Sequence, residues 1–471
     1  MQGKNKSYPI MVIGGFTVVL FIAMIIYICS YAINNERTMM DNSYNAHQQL
    51  LRTKNSRGTI YANDGQILAK TVTDSNGNET REYPFGKEFS HVVGFSVNGR
   101  SGIENLANYY LINSHATLKS KAEAKENEMK FPGDNVYTTL DVKLQETAYE
   151  ALSAREGAII VTEVKTGKVL ALVSKPDFDP GTILDEWEDI TSDKDNTQLL
   201  NRATQGLYPP GSTFKMITSL EYYREKGDEY LEYRYNCNGK FTNGTDTIRC
   251  FHGESHGALD FTKSFAKSCN SSFANISLQL DKSSFEKTLD NLMFNSELPW
   301  DMNYSMSSAI CNADIKDSDM MQLGIGQGTT TVTPLHINLI TAAIANDGIL
   351  MKPYILEKVE TEDGKVVEEF EPAAYKNLIT SDEAYFLKNM MEKVVTDGTA
   401  SRLKGLDYTA AGKTGSAEFK DSTSDSHAWF TGYAPAEDPQ IAVTIIVENA
   451  GSGGEYAVPI AKRIFDAYFE K

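Results

Sequence analysis

The amino-acid sequence predicts an α+β domain of helices flanking one mainly antiparallel sheet, carried on a small stalk behind a single N-terminal membrane helix. Three observations support this. One run, Ile10 to Ile33, has no charged residue, and the next hundred residues are polar. From about residue 136 strand-like runs come first, helical periodicity lies between, and strands with a helix close the chain, the order of an α+β layer structure. At 471 residues with 41% hydrophobic and 23% charged residues, the chain has material for two or three units with a real core. The net charge of −18 excludes a nucleic-acid partner, because phosphate binding needs clustered Lys and Arg.

The first element is the run "IMVIGGFTVVLFIAMIIYICSYAI". As a helix it is roughly 36 Å long, enough for a ~30 Å hydrocarbon core. A cleaved signal peptide has an apolar stretch of only about 7–15 residues before a small-x-small site, and "NNERTMM" offers none. Lys4 and Lys6 precede the run, which predicts a cytoplasmic tail over residues 1–9, a membrane anchor over 10–33 and an extracytoplasmic remainder.

Residues 34–135 read as the stalk, with "TDSNGNET" a loop and "LKSKAEAKENEMK" an exposed helix. The main domain is expected over 136–471. Leu140, Leu144, Ala148 and Leu152 carry a helical period, and "GAIIVTEVKTGKVLALVS" holds two strands joined at Lys165-Thr166-Gly167. Helices are expected near 213–226, 258–280 and 334–346. Strands follow in "YTAAGKTGSAEF", "HAWFTGYAP" and "IAVTIIVEN", then a helix over 456–469. No internal repeat of fixed period interrupts this order.

Cys237 and Cys250 flank "NGKFTNGTDTIR", a hairpin around an Asn-Gly turn, and are a candidate disulfide outside the cytoplasm, with free buried thiols as the alternative. A zinc site is disfavoured because no second Cys/His pair has ligand spacing, and His252 and His256 lack a third ligand. No metal or cofactor is therefore expected. His427, near the Lys413 strand, reads as packing.

The chemistry begins at "GLYPPGSTFKMI". Ser212 either caps the following helix or acts as a nucleophile. Lys215 lies one turn on, on the same face, and a neutral lysine can activate a serine. Lowering a lysine from ~10.4 to ~7 costs about 4.6 kcal/mol, which burial and a second nearby cation can supply. Ser-x-x-Lys alone proves nothing, since it recurs at Ser264/Lys267, Ser284/Lys287 and Ser401/Lys404, all in polar, surface-like surroundings. Two further motifs follow in order: Ser268-Cys269-Asn270 in a loop-helix context and Lys413-Thr414-Gly415 in a strand. The three together form the signature of β-lactamases and penicillin-binding proteins.

With these motifs the chain resembles class B penicillin-binding proteins, the membrane-anchored D,D-transpeptidases of peptidoglycan synthesis. "SRGTIYANDGQILAKT", "REYPFGKEFSHVVGF", "GIENLANYYL", "TTLDVKLQ", "GKVLALVSKPDFDP" and "LGIGQGTTTVTPLHINLITAAIANDG" all have counterparts there. The short stalk is similar to that of the penicillin-binding protein A type. The resemblance implies that Ser212 attacks the penultimate D-Ala carbonyl of a D-Ala-D-Ala stem peptide, with Lys215 as base beside a cationic Lys413. Ser268 would relay the proton and Asn270 would hold the substrate amide and Lys215. Lys413, Thr414 and Ser416 would bind the terminal carboxylate, and the backbone N–H groups of Ser212 and Ser416 would form the oxyanion hole. Gly415 would let the strand approach substrate. β-Lactams would enter the same path.

A D,D-carboxypeptidase or β-lactamase with this site, or a non-catalytic β-lactam sensor, are the alternatives. The Glu-x-x-Leu-Asn of class A β-lactamases and a Gly-x-Ser-x-Gly elbow are both missing from the sequence. The stalk cannot house a glycosyltransferase, so a polytopic glycosyltransferase partner in the membrane is expected.

Overall fold

A computed structural model describes residues 8–34, 46–418 and 426–470. Helix α1, Tyr8–Asn34, contains an exposed span, Met11–Tyr31, long and apolar enough to cross a membrane. Lys4 and Lys6 lie outside the described residues.

The stalk is built on a six-stranded sheet in the spatial order Val366–Glu369, Leu356–Glu360, Asn135–Thr138, Ile60–Tyr61, Ile67–Thr73, Glu79–Glu82. Its two outermost strands on one side come from residues 356–369, so the chain returns to the stalk from deep within the 136–471 segment. Behind the sheet, the carboxylate of Glu104 is fully buried between two arginines, 2.6 Å from Arg57 and 2.8 Å from Arg81.

The main domain follows the expected order. Helix α2, Val142–Leu152, is capped by Asp141 and precedes strands β1, Gly157–Glu163, and β2, Val169–Lys175. Helix α3, Lys215–Lys226, is entered through a 3-10 turn, Gly211–Phe214. The expected helix over 258–280 is two helices, Phe261–Ala266 and α4, Asn270–Ser277. They are broken at Ser268, whose φ of +56° leaves the helical region. Helices α5, Pro334–Ala345, and α6, Ser381–Thr396, come next. Strands β3, Ala411–Glu418, β4, Ser426–Ala434, and β5, Ile441–Val447, then lead into α7, Gly453–Phe469.

These five strands form one wholly antiparallel sheet in the order β3-β4-β5-β1-β2. Both sets of alternating residues in β1, β2, β4 and β5 are almost entirely buried, which requires helices on both faces. On one face α5 is pinned by polar contacts: Asn338 to Thr162 at 2.9 Å and Thr341 to Thr431 at 2.7 Å. Helices α2 and α7 pack together and close the other. Strand β3 is left at the sheet edge.

Candidate active site

Ser212 lies inside the 3-10 turn, and the N-cap of α3 is Phe214, with no side-chain capping bond. The hydroxyl instead stands 3.0 Å from Lys215 Nζ. The turn is held from below by the "LGIGQG" segment: Gly211 N–H donates to Gly326 O at 2.8 Å. A Cβ on Gly326 would stand 2.2 Å from the Gly211 carbonyl oxygen, and its φ is +71°. Glycine is required there by both space and backbone.

The break at Ser268 serves the same lysine. Lys215 Nζ donates to Ser268 O at 2.7 Å and to Asn270 Oδ1 at 2.7 Å, and lies 3.4 Å from Ser268 Oγ. An L-residue with positive φ is uncommon and costs energy, and such strain concentrates at functional sites. Here it turns both the carbonyl and the hydroxyl of one residue toward Lys215. From the edge strand, Lys413 Nζ donates to Ser268 Oγ at 2.8 Å and to Thr414 O at 3.1 Å. Ser212, Lys215, Ser268 and Lys413 thus form one connected chain, with Asn270 attached at Lys215. The three motifs, about 200 residues apart in sequence, converge on it.

Both lysines are fully buried, and among the described residues neither has a carboxylate partner. Desolvation pushes Lys215 down to about 7. Burial and then repulsion from Lys215 push Lys413 well below the usual lysine range. Burial thus depresses both lysines, and the repulsion between them is felt at Lys413. Four oxygens surround the Lys215 ammonium and only two face Lys413, so Lys215 is the better place for a shared proton.

Thr414 is buried, and its hydroxyl bonds to that of Thr399. Ser416 Oγ accepts from Gly453 N–H at 3.4 Å. A Cβ on Gly415 would meet Trp429 Cβ at 3.0 Å, Pro210 O at 3.2 Å and Thr213 Cγ2 at 3.2 Å. Gly415 therefore lets β3 close upon the Ser212 turn, and room for substrate is not what its missing side chain provides. Gly453 plays the matching part behind the strand, where a Cβ would lie 2.5 Å from Gly415 O.

The chain matches the model of the penicillin binding protein transpeptidase domain over residues 157–466, and that of the penicillin binding protein A dimerisation domain over 57–131. The first match spans well over half of the sequence and contains every residue of the constellation. The chain belongs to the class B penicillin-binding protein transpeptidases. The domain is of the serine acyl-enzyme type. It is 30% identical to the peptidoglycan D,D-transpeptidase PbpA of Mycolicibacterium smegmatis, over 86% of this chain and 87% of that protein. A D,D-transpeptidase domain from Eggerthella lenta superposes with a TM-score of 0.79 at 28% identity, covering 88% of this chain and 99% of that one. Penicillin-binding protein A of Mycobacterium tuberculosis, solved as an imipenem acyl-enzyme complex, gives 0.79 at 25% identity, with the same coverage.

Sequence reasoning missed Thr399, Gly326 and Gly453, which touch the motifs from distant segments. It also misplaced Ser264: its hydroxyl is buried between Asp260 O and Ser272 Oγ. His427 is packed edge-on against Tyr208 at 5.4 Å, as expected of a core histidine. The candidate disulfide is corrected. The hairpin forms, Lys240–Asn243 against Asp246–Arg249, but Cys237 and Cys250 are thiols with sulfurs 3.7 Å apart. His256 and Cys269 stand beside them, so His256 does have further ligand-type neighbours. Spacing along the chain could not reveal them, because they arrive from a separate strand and helix.

Proposed function

We propose that this class B penicillin-binding protein is a peptidoglycan D,D-transpeptidase acting on stem peptides ending in D-Ala-D-Ala. The single observation that carries this is the contact of Ser212 Oγ with a buried Lys215 that has no carboxylate partner among the described residues. The stem peptide adds as a strand along the edge of β3, and its terminal carboxylate lies against Lys413, Thr414 and Ser416. That anion restores the charge of Lys413, and the adjacent cation then drives the shared proton off Lys215. Neutral Lys215 takes the Ser212 hydroxyl proton as Oγ bonds to the penultimate D-Ala carbonyl carbon. The backbone N–H groups of Ser212 and Ser416 hold the oxyanion. Ser268 passes a proton to the leaving nitrogen, the C–N bond breaks, and the last D-Ala departs. Attack by an amine of a second stem peptide on the ester forms the cross-link and frees Ser212.

The anchor α1 is proposed to cross the membrane with its N-terminus in the cytoplasm, residues 34–135 to be the stalk, and residues 136–471 the catalytic unit outside. A polytopic glycosyltransferase would supply the glycan. The test is incubation of the full-length protein with a synthetic D-Ala-D-Ala pentapeptide and a D-amino acid acceptor. Exchange of the terminal residue is expected. Release of D-Ala to water alone would make the protein a carboxypeptidase, and no turnover of either kind would overturn the enzymatic proposal.

A further inference from the structure

The segment that supports the Ser212 turn also reaches the far end of β3. Gly326 and Gly328, on either side of Gln327, have φ of +71° and +72°. Gly326 O accepts from Gly211 N–H, and the backbone N–H of Gln327 donates to Gln322 O at 2.9 Å. The backbone around Gln327 is thus fixed, and its half-buried side chain meets the last residue of β3. In the orientation that satisfies both groups, its amide nitrogen donates to Glu418 O at 3.0 Å and its oxygen accepts from Glu418 N–H at 3.1 Å. A side-chain amide bonded twice to one residue's backbone imitates a paired strand residue.

Antiparallel pairing turns the backbone groups of alternate residues toward the same neighbour. Glu418 bonds Gln327 and so faces away from β4, which puts Ser416 and Thr414 on the outer side as well. Thr414 O already accepts from Lys413. Both groups of Glu418 are closed by Gln327, and Ser416 lies between the two. The donor residue that exchanges both bonds with Ser416 is the one whose carbonyl takes the Ser416 N–H, the penultimate D-Ala. In antiparallel register Glu418 would pair with the residue two positions before it, and that place is taken.

We propose that Gln327 is a specificity-determining residue: it ends the outer edge of β3, so that the strand pairs with its acyl donor's main chain at the penultimate residue alone. The direction of the donor rests on the D,D-transpeptidase reading. Whatever precedes the third stem residue leaves the strand at Gln327, so β3 recognises the end of the donor and does not inspect the linkages behind it. The same cap denies the edge to a strand of another chain. A merely structural role predicts something different. Gln327 would then only fasten β3 to the Ser212 turn, and its loss would change acylation by every agent alike.

The experiment uses two penicillins, each made from 6-aminopenicillanic acid and an acetylated dipeptide. They differ by one methyl group on the nitrogen of the distal residue, the nitrogen that would donate to Glu418 O. Acylation of the full-length protein is followed by intact mass, and the readout is the ratio of the two rates within one protein, where a uniform change cancels. The wild type should react with both at rates within about twofold. Gln327→Ala should prefer the N–H compound at least fivefold, through one recovered hydrogen bond that the methyl group blocks. A wild type that discriminates fivefold would show Glu418 pairing with the ligand and would overturn the cap. A variant ratio near one would overturn it too, leaving only the fastening role. Should Gln327→Ala fold poorly, the wild-type ratio decides alone. A third penicillin, methylated on the nitrogen attached to the lactam ring, should acylate both proteins at least tenfold more slowly, and an equal rate would overturn the register at Ser416. These rates need neither D-Ala release nor an acceptor, so D-Ala exchange can fail while the ratios hold, and the reverse.

Discussion

Two clusters of buried cations divide the labour in this molecule. In the stalk, Arg57 and Arg81 close on the carboxylate of Glu104. Desolvation works to raise that carboxyl, but the two guanidiniums more than offset it and hold it below the usual range. In the catalytic domain Lys215 and Lys413 are buried just as completely, with hydroxyl, carbonyl and amide oxygens as hydrogen-bond partners and the rings of Phe273 and Phe265 beside them in place of a carboxylate. Burial drives both lysines down, and repulsion from Lys215 adds to it at Lys413. A compensated charge cluster keeps its protons and serves as a clamp. An uncompensated one has protons to exchange, and that is what a serine nucleophile needs.

The sharpest way to break this comparison is to remove the central group of each cluster. Lys215→Met should lower acylation by benzylpenicillin by about 10²–10⁴-fold, the usual contribution of a general base. Its thermal midpoint should hold or rise, because a buried amine with no counter-charge is replaced by an apolar chain of similar length. Glu104→Ala should do the reverse, costing about 3–5 kcal/mol of stability by stranding two buried arginines. Denaturant unfolding of the region beyond the membrane would measure it, and acylation of the folded fraction should be unchanged. A stability loss in the first variant or an acylation loss in the second would dissolve the distinction.

A smaller effect sharpens it. Lys215 must be neutral to accept the Ser212 proton, and its folded value is about 7. The acylation rate should therefore rise with pH through about 7 and level above it, standing roughly tenfold below the plateau at pH 6. Stopped-flow acylation across pH 5.5–9 would read this, and an inflection near 10 would mean that burial does not tune the lysine. The smallest effect is expected at Thr399, whose hydroxyl bonds that of Thr414. Thr399→Val should weaken acylation by a few-fold, the worth of one hydrogen bond of about 0.5–1.5 kcal/mol. The stability of this variant should be near that of the wild type.

Much of this was legible from residues. The edge strand, the α5 helix and the hairpin announce themselves through period and turn chemistry, and three short motifs in order name the site. What stayed hidden is long-range or conformational. Nothing local in "AKSCNSS" shows that Ser268 adopts positive φ and splits a helix. The strand Leu356–Glu360 pairs with residues more than 200 positions earlier, which alternation alone cannot reveal. Gly415 and Gly453 are explained by the protein atoms packed against them and not by the substrate in front. The cluster of Cys237, Cys250, His256 and Cys269 was obscured because its members come from separate segments, while spacing is read along one.

The central claim is that Ser212 is the nucleophile. It is tested most directly by intact-mass measurement of the full-length protein after benzylpenicillin treatment, with peptide mapping and with Ser212→Ala alongside. The account predicts one persistent adduct, mapped to Ser212 and absent from the variant. An adduct on the variant, or none on the wild type, would contradict it.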